Sequence, residues 1–321
     1  MNYSEFLLEL SKLLRTSGIE AERLIINAPH RYKHYKIPKR NGELRDIHHP
    51  SPALKAAQRW IANDLLRNLQ VHDCVFSYRK GRNIAMHAAT HIESNYIVRL
   101  DFSNFFPSIT GSVVRAFLLR EINRGNVDLD ARTIEAIIRI VCRYQKETNK
   151  LVLSIGAPSS PHLSNVLLHS FDEAMSRASR RRGGTYTRYA DDIYISSRSK
   201  EAAALLERDF FEIATEILPY LQVNIKKTQH LSRKRRMSVT GVNITPQRKI
   251  SIGRDTKRSL KTRVFLALQG TLPPEDLPAL KGMLAHVAAV EPAFITGLGR
   301  KYGIERVEAF LSSRITELTP A

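Results

Sequence analysis

Residues 185–196 read TYTRYADDIYIS, and this stretch restricts the fold more than any other. β-Branched and aromatic residues flank Asp191 and Asp192 on both sides. That pattern predicts a strand, a two-residue turn and a returning strand, with the aspartates at the tip and at least one carboxylate facing out. Two carboxylates this close raise each other's pKa unless a cation neutralises them. Mg²⁺ is the economical cation, because it takes oxygen ligands and keeps positions open for substrate phosphates. A third carboxylate on a neighbouring strand would complete a two-ion site, and Asp101 in NYIVRLDFSNFFPSI is the candidate. Alternation in that strand puts Val98, Leu100 and Phe102 on one face and Ile97, Arg99 and Asp101 on the other, and the strand stops at Pro107.

The flanking sequence predicts an α+β chain with an antiparallel sheet. Phe6, Leu10, Leu13 and Leu14 share a helical face, so the chain opens with an amphipathic helix ending near Gly18. YKIPKRNGELRDIHHP reads as a basic hairpin turning at Asn41-Gly42. Ala57, Ile61, Leu65 and Leu69 recur every fourth residue and mark a helix in which Trp60 is core. Residues 111–145 are expected to be helical with a break at NRGNVDLD, and SIGAPSSPHLSN is expected to turn into a helix from about Ser160. Leu206, Phe210, Ile213 and Ile217 mark another helix, and MSVTGVNI with KISIG suggests a second hairpin. The chain from about Asp255 reads as a separate small helical lobe with Phe265, Leu266, Leu280, Met283 and Leu284 as its apolar residues.

Charge narrows the partner. Fifty Lys and Arg against 31 Asp and Glu give a net charge of +19 over 321 residues, far beyond what solubility needs, so a polyanion is the expected partner. The excess is clustered at Arg180–Arg182 and at Arg233, Lys234, Arg235 and Arg236. Cys74 and Cys142 lack metal-ligand spacing and read as reduced thiols of a cytoplasmic protein. Glu5, Glu9 and Lys12 break any signal-peptide core, and no apolar run long enough to span a membrane follows, so the expectation is a chain neither exported nor membrane-bound.

Alone, the Ala-Asp-Asp tripeptide within Tyr189-Ala190-Asp191-Asp192 is weak evidence, since three fixed letters recur by chance in roughly 4% of chains of this length. Context strengthens it. The strand RLDFSNFFPSI, the GAPSSPHLSN turn, the Tyr-Ala-Asp-Asp hairpin and LQVNIKKT follow in the order and approximate spacing of reverse transcriptases, which this sequence resembles. NAPH at 27–30 and VTG at 239–241 are similar to two signatures that separate bacterial retron reverse transcriptases from intron-encoded ones. The short stretch after VTG is also unlike the maturase or nuclease regions of intron relatives.

The resemblance implies a right-hand polymerase, with fingers over 1–95, a palm with an interleaved fingers segment over 96–241 and a thumb over 242–321. It implies that Asp101, Asp191 and Asp192 bind two Mg²⁺, that Lys39 and Arg45 bind the incoming triphosphate, and that Phe106 excludes a 2′-hydroxyl beneath the sugar. Tyr189, Gly156 and Lys227 would complete the substrate site, and Arg233–Arg236 would meet RNA or hybrid phosphates. Members of the family commonly carry Gln before the glycine of the GAPSSP block, whereas this chain has Ile155. That removes a polar side chain but leaves the turn through Gly156 and Pro158. The implied partners are dNTPs, the protein's own structured noncoding RNA with its RNA–DNA product, and a separately encoded effector in anti-phage defence. Two other readings stay open: an intron-type or diversity-generating reverse transcriptase, and a polymerase-like RNA-binding protein without catalysis. NAPH with VTG speaks against the first, and the three carboxylates against the second.

Overall fold

A computed structural model describes residues 1–38 and 42–313. Helices α1 (Tyr3–Leu14) and α2 (Gly18–Asn27) open the chain. The first ends four residues earlier than the apolar pattern suggests. Arg15 turns left-handed at φ 51°, and the Ser17 side chain accepts the Glu20 amide to cap a new helix. Strands β1 (Tyr32–Pro38) and β2 (Leu44–Pro50) form the expected antiparallel hairpin, whose Lys39, Arg40 and Asn41 lie outside the described residues. Helix α3 (Pro52–Trp60) continues as a π turn over Ile61–Leu65, and α4 (Ile84–Ala89) precedes the central strand β3 (Tyr96–Ser103). After the single turn α5 (Phe105–Ser108) come α6 (Gly111–Asn123) and α7 (Ala131–Val141), the latter capped by Asp130. The helical reading of 111–145 fails at its end. Residues 143–145 form β4 (Arg143–Gln145), which pairs with β5 (Lys150–Val152) across a turn.

Helices α8 (Ser160–Leu167) and α9 (His169–Arg181) lead into strands β6 (Gly184–Tyr189) and β7 (Asp192–Ser197), followed by α10 (Lys200–Ile217). Short strands β8 (Gln222–Val223) and β9 (Gln229–Ser232) return to the sheet. These strands pair antiparallel, and a parallel bridge joins Val75 to Arg188 on the β6 edge. β7 lies between β6 and β3, and the other edge of β3 is shared, with β9 along its first half and β8 at its end. The expected second hairpin is a three-stranded sheet of β10 (Met237–Val239), β11 (Val242–Ile244) and β12 (Ile250–Ser251). Helices α11 (Arg254–Leu268), α12 (Leu277–Val290), α13 (Pro292–Tyr302) and α14 (Ile304–Ser312) complete the described chain.

The two faces of β3 pack into different cores, as alternation requires. Val98, Leu100 and Phe102 join Phe171 and Met175 of α9, Leu206 and Phe210 of α10, and the N-terminal helices. Ile97 and, from β7, Tyr194 join Ala85 and Ala88 of α4, Met237 and Val239 of β10, and Leu260, Val264, Leu280 and Leu284 of the C-terminal helices. The C-terminal helices therefore share a core with the central sheet. Phe265 and Met283, expected among their apolar residues, are exposed. At the far end of the same sheet face, beyond the reach of that second core, stand Asp101 and Asp192.

Candidate active site on the central sheet

In the β6–β7 hairpin Tyr189 pairs with Asp192, so the two-residue loop is Ala190-Asp191, with Ala190 at φ 56°. Asp192 is thus the first residue of β7 and does not share the tip with Asp191. This shift by one residue brings the site together. β7 continues across β3 with Asp192 directly opposite Asp101, and opposed residues of an antiparallel pair project from the same face. Asp101 is buried and accepts the Lys227 ammonium on both oxygens at 3.2 Å. Asp192 Oδ1 accepts Arg99 Nε at 3.1 Å and Nη2 at 2.7 Å. Burial, and then the charges of Asp192 and Asp101, push the Asp191 carboxyl up to about 6. Burial raises Asp192 as well, against the pull of Arg99.

These donors suit a hard divalent cation: two carboxylates opposed on one sheet face and a third in the adjoining loop, with Asp191 raised by burial and by the charges of the other two. The side chains are not closed into a cage. Among the described residues no three acidic, histidine or cysteine groups converge to metal-ligand geometry, since Asp101 and Asp192 are turned onto Lys227 and Arg99.

A buried network holds the loop. The Arg188 guanidinium is fully buried and donates to both oxygens of Asp172 at 2.9 and 2.6 Å, to Asn165 Oδ1 at 3.1 Å and to the Ala190 carbonyl at 3.2 Å. Tyr186 donates its hydroxyl to Asp172 as well, at 2.7 Å. On the other side the Ala190 amide donates to Ser77 Oγ at 2.8 Å, and the Ser77 carbonyl accepts Asn165 Nδ2 at 3.0 Å. The loop amide is therefore bound by Ser77 from outside the hairpin and the loop carbonyl by Arg188 of β6 within it, which makes a left-handed Ala190 tolerable. Sequence reading missed Arg188, Asp172, Asn165 and Ser77. The available signal was Arg188 itself, a charge alternating into the apolar face of a strand.

A second buried cluster lies behind Tyr189. His87 stacks on Phe76 and Tyr189, with ring centroids 4.8 and 5.9 Å apart, and meets Tyr194 edge-on. His87 Nε2 and His91 Nε2 both lie 2.7 Å from Thr187 Oγ1. His91 Nδ1 is 2.7 Å from Ser196 Oγ, and His87 Nδ1 is 3.3 Å from Thr240 Oγ1. Thr240 and Gly241, both at positive φ, form the tight turn between β10 and β11, and the Thr240 amide donates to the Tyr194 hydroxyl at 3.0 Å.

The other expected residues divide. Phe105 is core and Phe106 half-buried, in the turn after β3. Gly156 has φ +106°, and a Cβ there would come within 2.9 Å of the His48 carbonyl, so this turn requires glycine. Ile155 acts through its backbone, accepting the His48 amide at 2.9 Å and tying the turn to β2. Arg45 is exposed on β2 and acts electrostatically on Tyr78, as Asp191 does. Lys39 lies outside the described residues. In the NAPH stretch, Asn27 donates to the Arg23 carbonyl at 2.9 Å and His30 packs on Tyr144.

Arg233 is a correction. Its guanidinium donates to the carbonyls of Ile92, Ser94 and Thr245 and to Asn95 Oδ1, so it clamps β9 to the segment before β3. Arg236 Nε donates to Asn243 Oδ1 at 2.9 Å, leaving Lys234 and Arg235 as the exposed residues of the run without such an assigned role. The run also begins beside Tyr96, at the opposite end of β3 from Asp101 and about 17 Å away along the strand.

Comparison with known proteins decides what this arrangement belongs to. The family described as Reverse transcriptase (RNA-dependent DNA polymerase) matches residues 37–244, which includes β3, β7 and the Gly156 turn. The chain belongs to the reverse transcriptase family. It is 34% identical over 285 residues to the retron Ec83 reverse transcriptase of Escherichia coli, covering 87% of this chain and 89% of that protein. It is 32% identical to the retron Ec73 reverse transcriptase of E. coli, at 91% and 93% coverage. Against the retron Mx162 reverse transcriptase of Myxococcus xanthus it is 30% identical over 88% of this chain and 64% of that one. The enzyme is thus an RNA-directed DNA polymerase of the bacterial retron type. Its fold matches apo telomerase from Candida tropicalis with a TM-score of 0.50 at 11% identity, over 90% of this chain and 63% of that chain, consistent with a right-hand polymerase. Reverse transcriptases use divalent metal ions, RNA templates and dNTPs, in keeping with the carboxylate face and the net charge of +19. No helix among the described residues is long and apolar enough to cross a membrane, and Cys74 and Cys142 are free and buried.

Proposed function

We propose that this enzyme copies part of its own structured noncoding RNA into a short single-stranded DNA that stays joined to RNA, priming from an internal 2′-hydroxyl. The observation that carries this reading is similarity to retron reverse transcriptases over about nine-tenths of the chain and of the relatives alike. We extend it to a cytoplasmic role in anti-phage defence with a separately encoded effector. Residues 1–95 act as fingers, 96–241 as palm with an interleaved fingers segment, and 242–321 as thumb.

Asp101, Asp191 and Asp192 hold two Mg²⁺. The chemistry that pair supplies when bound is activation of the primer hydroxyl and stabilisation of the leaving pyrophosphate. The chain's own residues position the reactants. Lys39 and Arg45 grip the triphosphate, Arg45 by a bidentate fork. Phe106 packs beneath the sugar and rejects a 2′-hydroxyl. The Gly156 turn and Tyr189 shape the floor, and Ala190 is small enough to let the primer end approach. Lys227, lying against Asp101, contacts the phosphates or gives a proton to the pyrophosphate. Lys234 and Arg235 meet nucleic-acid phosphates away from the chemistry.

The test is to purify the protein from its native host with whatever nucleic acid it carries and to treat the labelled material separately with RNase and DNase. A short DNA covalently joined to RNA, and absent from an Asp191→Asn strain, is expected. RNA alone in both strains would refute the reading and leave an RNA-binding protein of polymerase shape.

A further inference from the structure

Tyr78 occupies a position that is unfavourable for a tyrosine and unrewarded by packing. Its φ is +57°, in the left-handed region where bulky side chains are strained. Its side chain is 57% exposed, so burial does not offset that strain. Both neighbours are nonetheless fixed. Ser77 is fully buried and bound to the catalytic loop through Ala190, and to α8 through Asn165, at 2.8 and 3.0 Å. Arg79 donates to the carbonyls of His72 and Val75 at 3.0 and 3.3 Å and pairs with Asp73. A rigid segment therefore presents an aromatic ring to solvent, one residue from a contact to the Tyr-Ala-Asp-Asp loop.

The surroundings of the ring are those of the substrate space. Partial burial first, and then Asp191 and Tyr189, raise the Tyr78 hydroxyl above the usual tyrosine value, while Arg45 pulls it down. Tyr78 thus follows the residue that binds the Tyr-Ala-Asp-Asp loop and feels the charges of both Asp191 and the guanidinium assigned to the triphosphate. Both signs of charge are already supplied there. What an exposed aromatic face adds is a surface on which a nucleobase can stack. A strained residue fixed from both sides at the mouth of a site has a functional explanation where a structural one is missing.

We propose that Tyr78 is a specificity-determining residue of the polymerase site, its ring packing against the nascent base pair and holding the incoming deoxynucleotide flat on its templating base. The inference rests on the nucleotide site assigned above. It goes beyond that site by naming the residue that reads the planarity of the pair, whereas Phe106 reads the sugar.

The experiment uses the full chain with an oligo(dT)-primed poly(rA) template, and compares wild type with Tyr78→Phe, Tyr78→Ala and Tyr78→Gly. Tyr78→Phe keeps the ring and should stay within about twofold of wild type in KM for dTTP. Loss of one base–aromatic stack should raise that KM about tenfold in Tyr78→Ala and Tyr78→Gly, with kcat changed less, and should increase extension of mismatched primer ends. Melting temperatures should be unchanged for Tyr78→Ala and unchanged or higher for Tyr78→Gly, which relieves the strained φ. Wild-type KM and mismatch extension in Tyr78→Ala would overturn the proposal, as would a KM rise accompanied by a lowered melting temperature in both truncations. An inactive wild type on this template would instead overturn the nucleotide site itself, and the inference with it.

Discussion

Acid should weaken this enzyme through two histidines that never touch substrate. His87 and His91 have no exposed surface, and burial pushes each down to about 3, with His91 adding to the effect on His87. Their polar neighbours are the hydroxyls of Thr187, Ser196 and Thr240, and the rings around them are Phe76, Tyr189 and Tyr194, so no carboxylate in this set would favour an imidazolium. Thr187 has one hydroxyl proton, so one imidazole accepts from it and must be neutral while the other donates to it. In the unfolded chain both titrate near ~6.5, so between that pH and ~3 the unfolded state binds more protons. Stability is complete above that window and falls with pH inside it. From pH 7.5 to 5.0 each histidine should remove about 2 kcal/mol, together about 4 kcal/mol, which is a large share of the ~5–15 kcal/mol typical of a folded protein. Urea unfolding followed by circular dichroism at both pH values measures the loss, and His87→Gln/His91→Gln supplies the reference for all other titrating groups. Wild type should lose about 4 kcal/mol more than the double variant. Equal losses within about 1 kcal/mol would show that these rings protonate without cost, and the reading of the cluster would be wrong.

Three other outcomes follow from the geometry. Arg188→Met should cost about 3–5 kcal/mol by stranding the buried Asp172 charge, whereas Arg188→Met/Asp172→Leu should recover most of it, as calorimetry of both variants would show. Gly156→Ala should destabilise by about 1–3 kcal/mol, from its φ of +106° and the His48 carbonyl 2.9 Å from the added Cβ, and a variant as stable as wild type in thermal unfolding would contradict that account. In the basic run, Lys234→Ala and Arg235→Ala should each reduce the slope of log affinity for RNA against log salt by about 1 without changing the melting temperature. Arg233→Ala should lower the melting temperature, because its guanidinium is spent on backbone carbonyls.

Local pattern was enough to determine much of this protein. Alternation assigned both faces of the strand, and Val98, Leu100 and Phe102 do enter one core while Asp101 stands on the other side, although the strand ends at Ser103 and not at Pro107 because the turn α5 begins at Phe105. Side-chain direction has period two in any strand, so that information is present in the sequence itself. The order of Asp101, Gly156, Asp191, Asp192 and Lys227 likewise needed only the chain, because the family's chemistry depends on residue types at roughly constant spacing. Tertiary structure decided what pairing and burial decide. It moved Asp192 from the tip into β7, since strand register depends on β3 opposite it and not on the hairpin's own letters. It split the run Arg233–Arg236 into one clamp, Arg233, and three exposed residues, because a guanidinium beside free carbonyls is indistinguishable in sequence from one beside solvent. It buried Arg188 against Asp172 and set Tyr78 in a strained turn. Each of these depends on residues distant in the chain meeting in space, where desolvation and hydrogen bonding are settled by neighbours that no local pattern names.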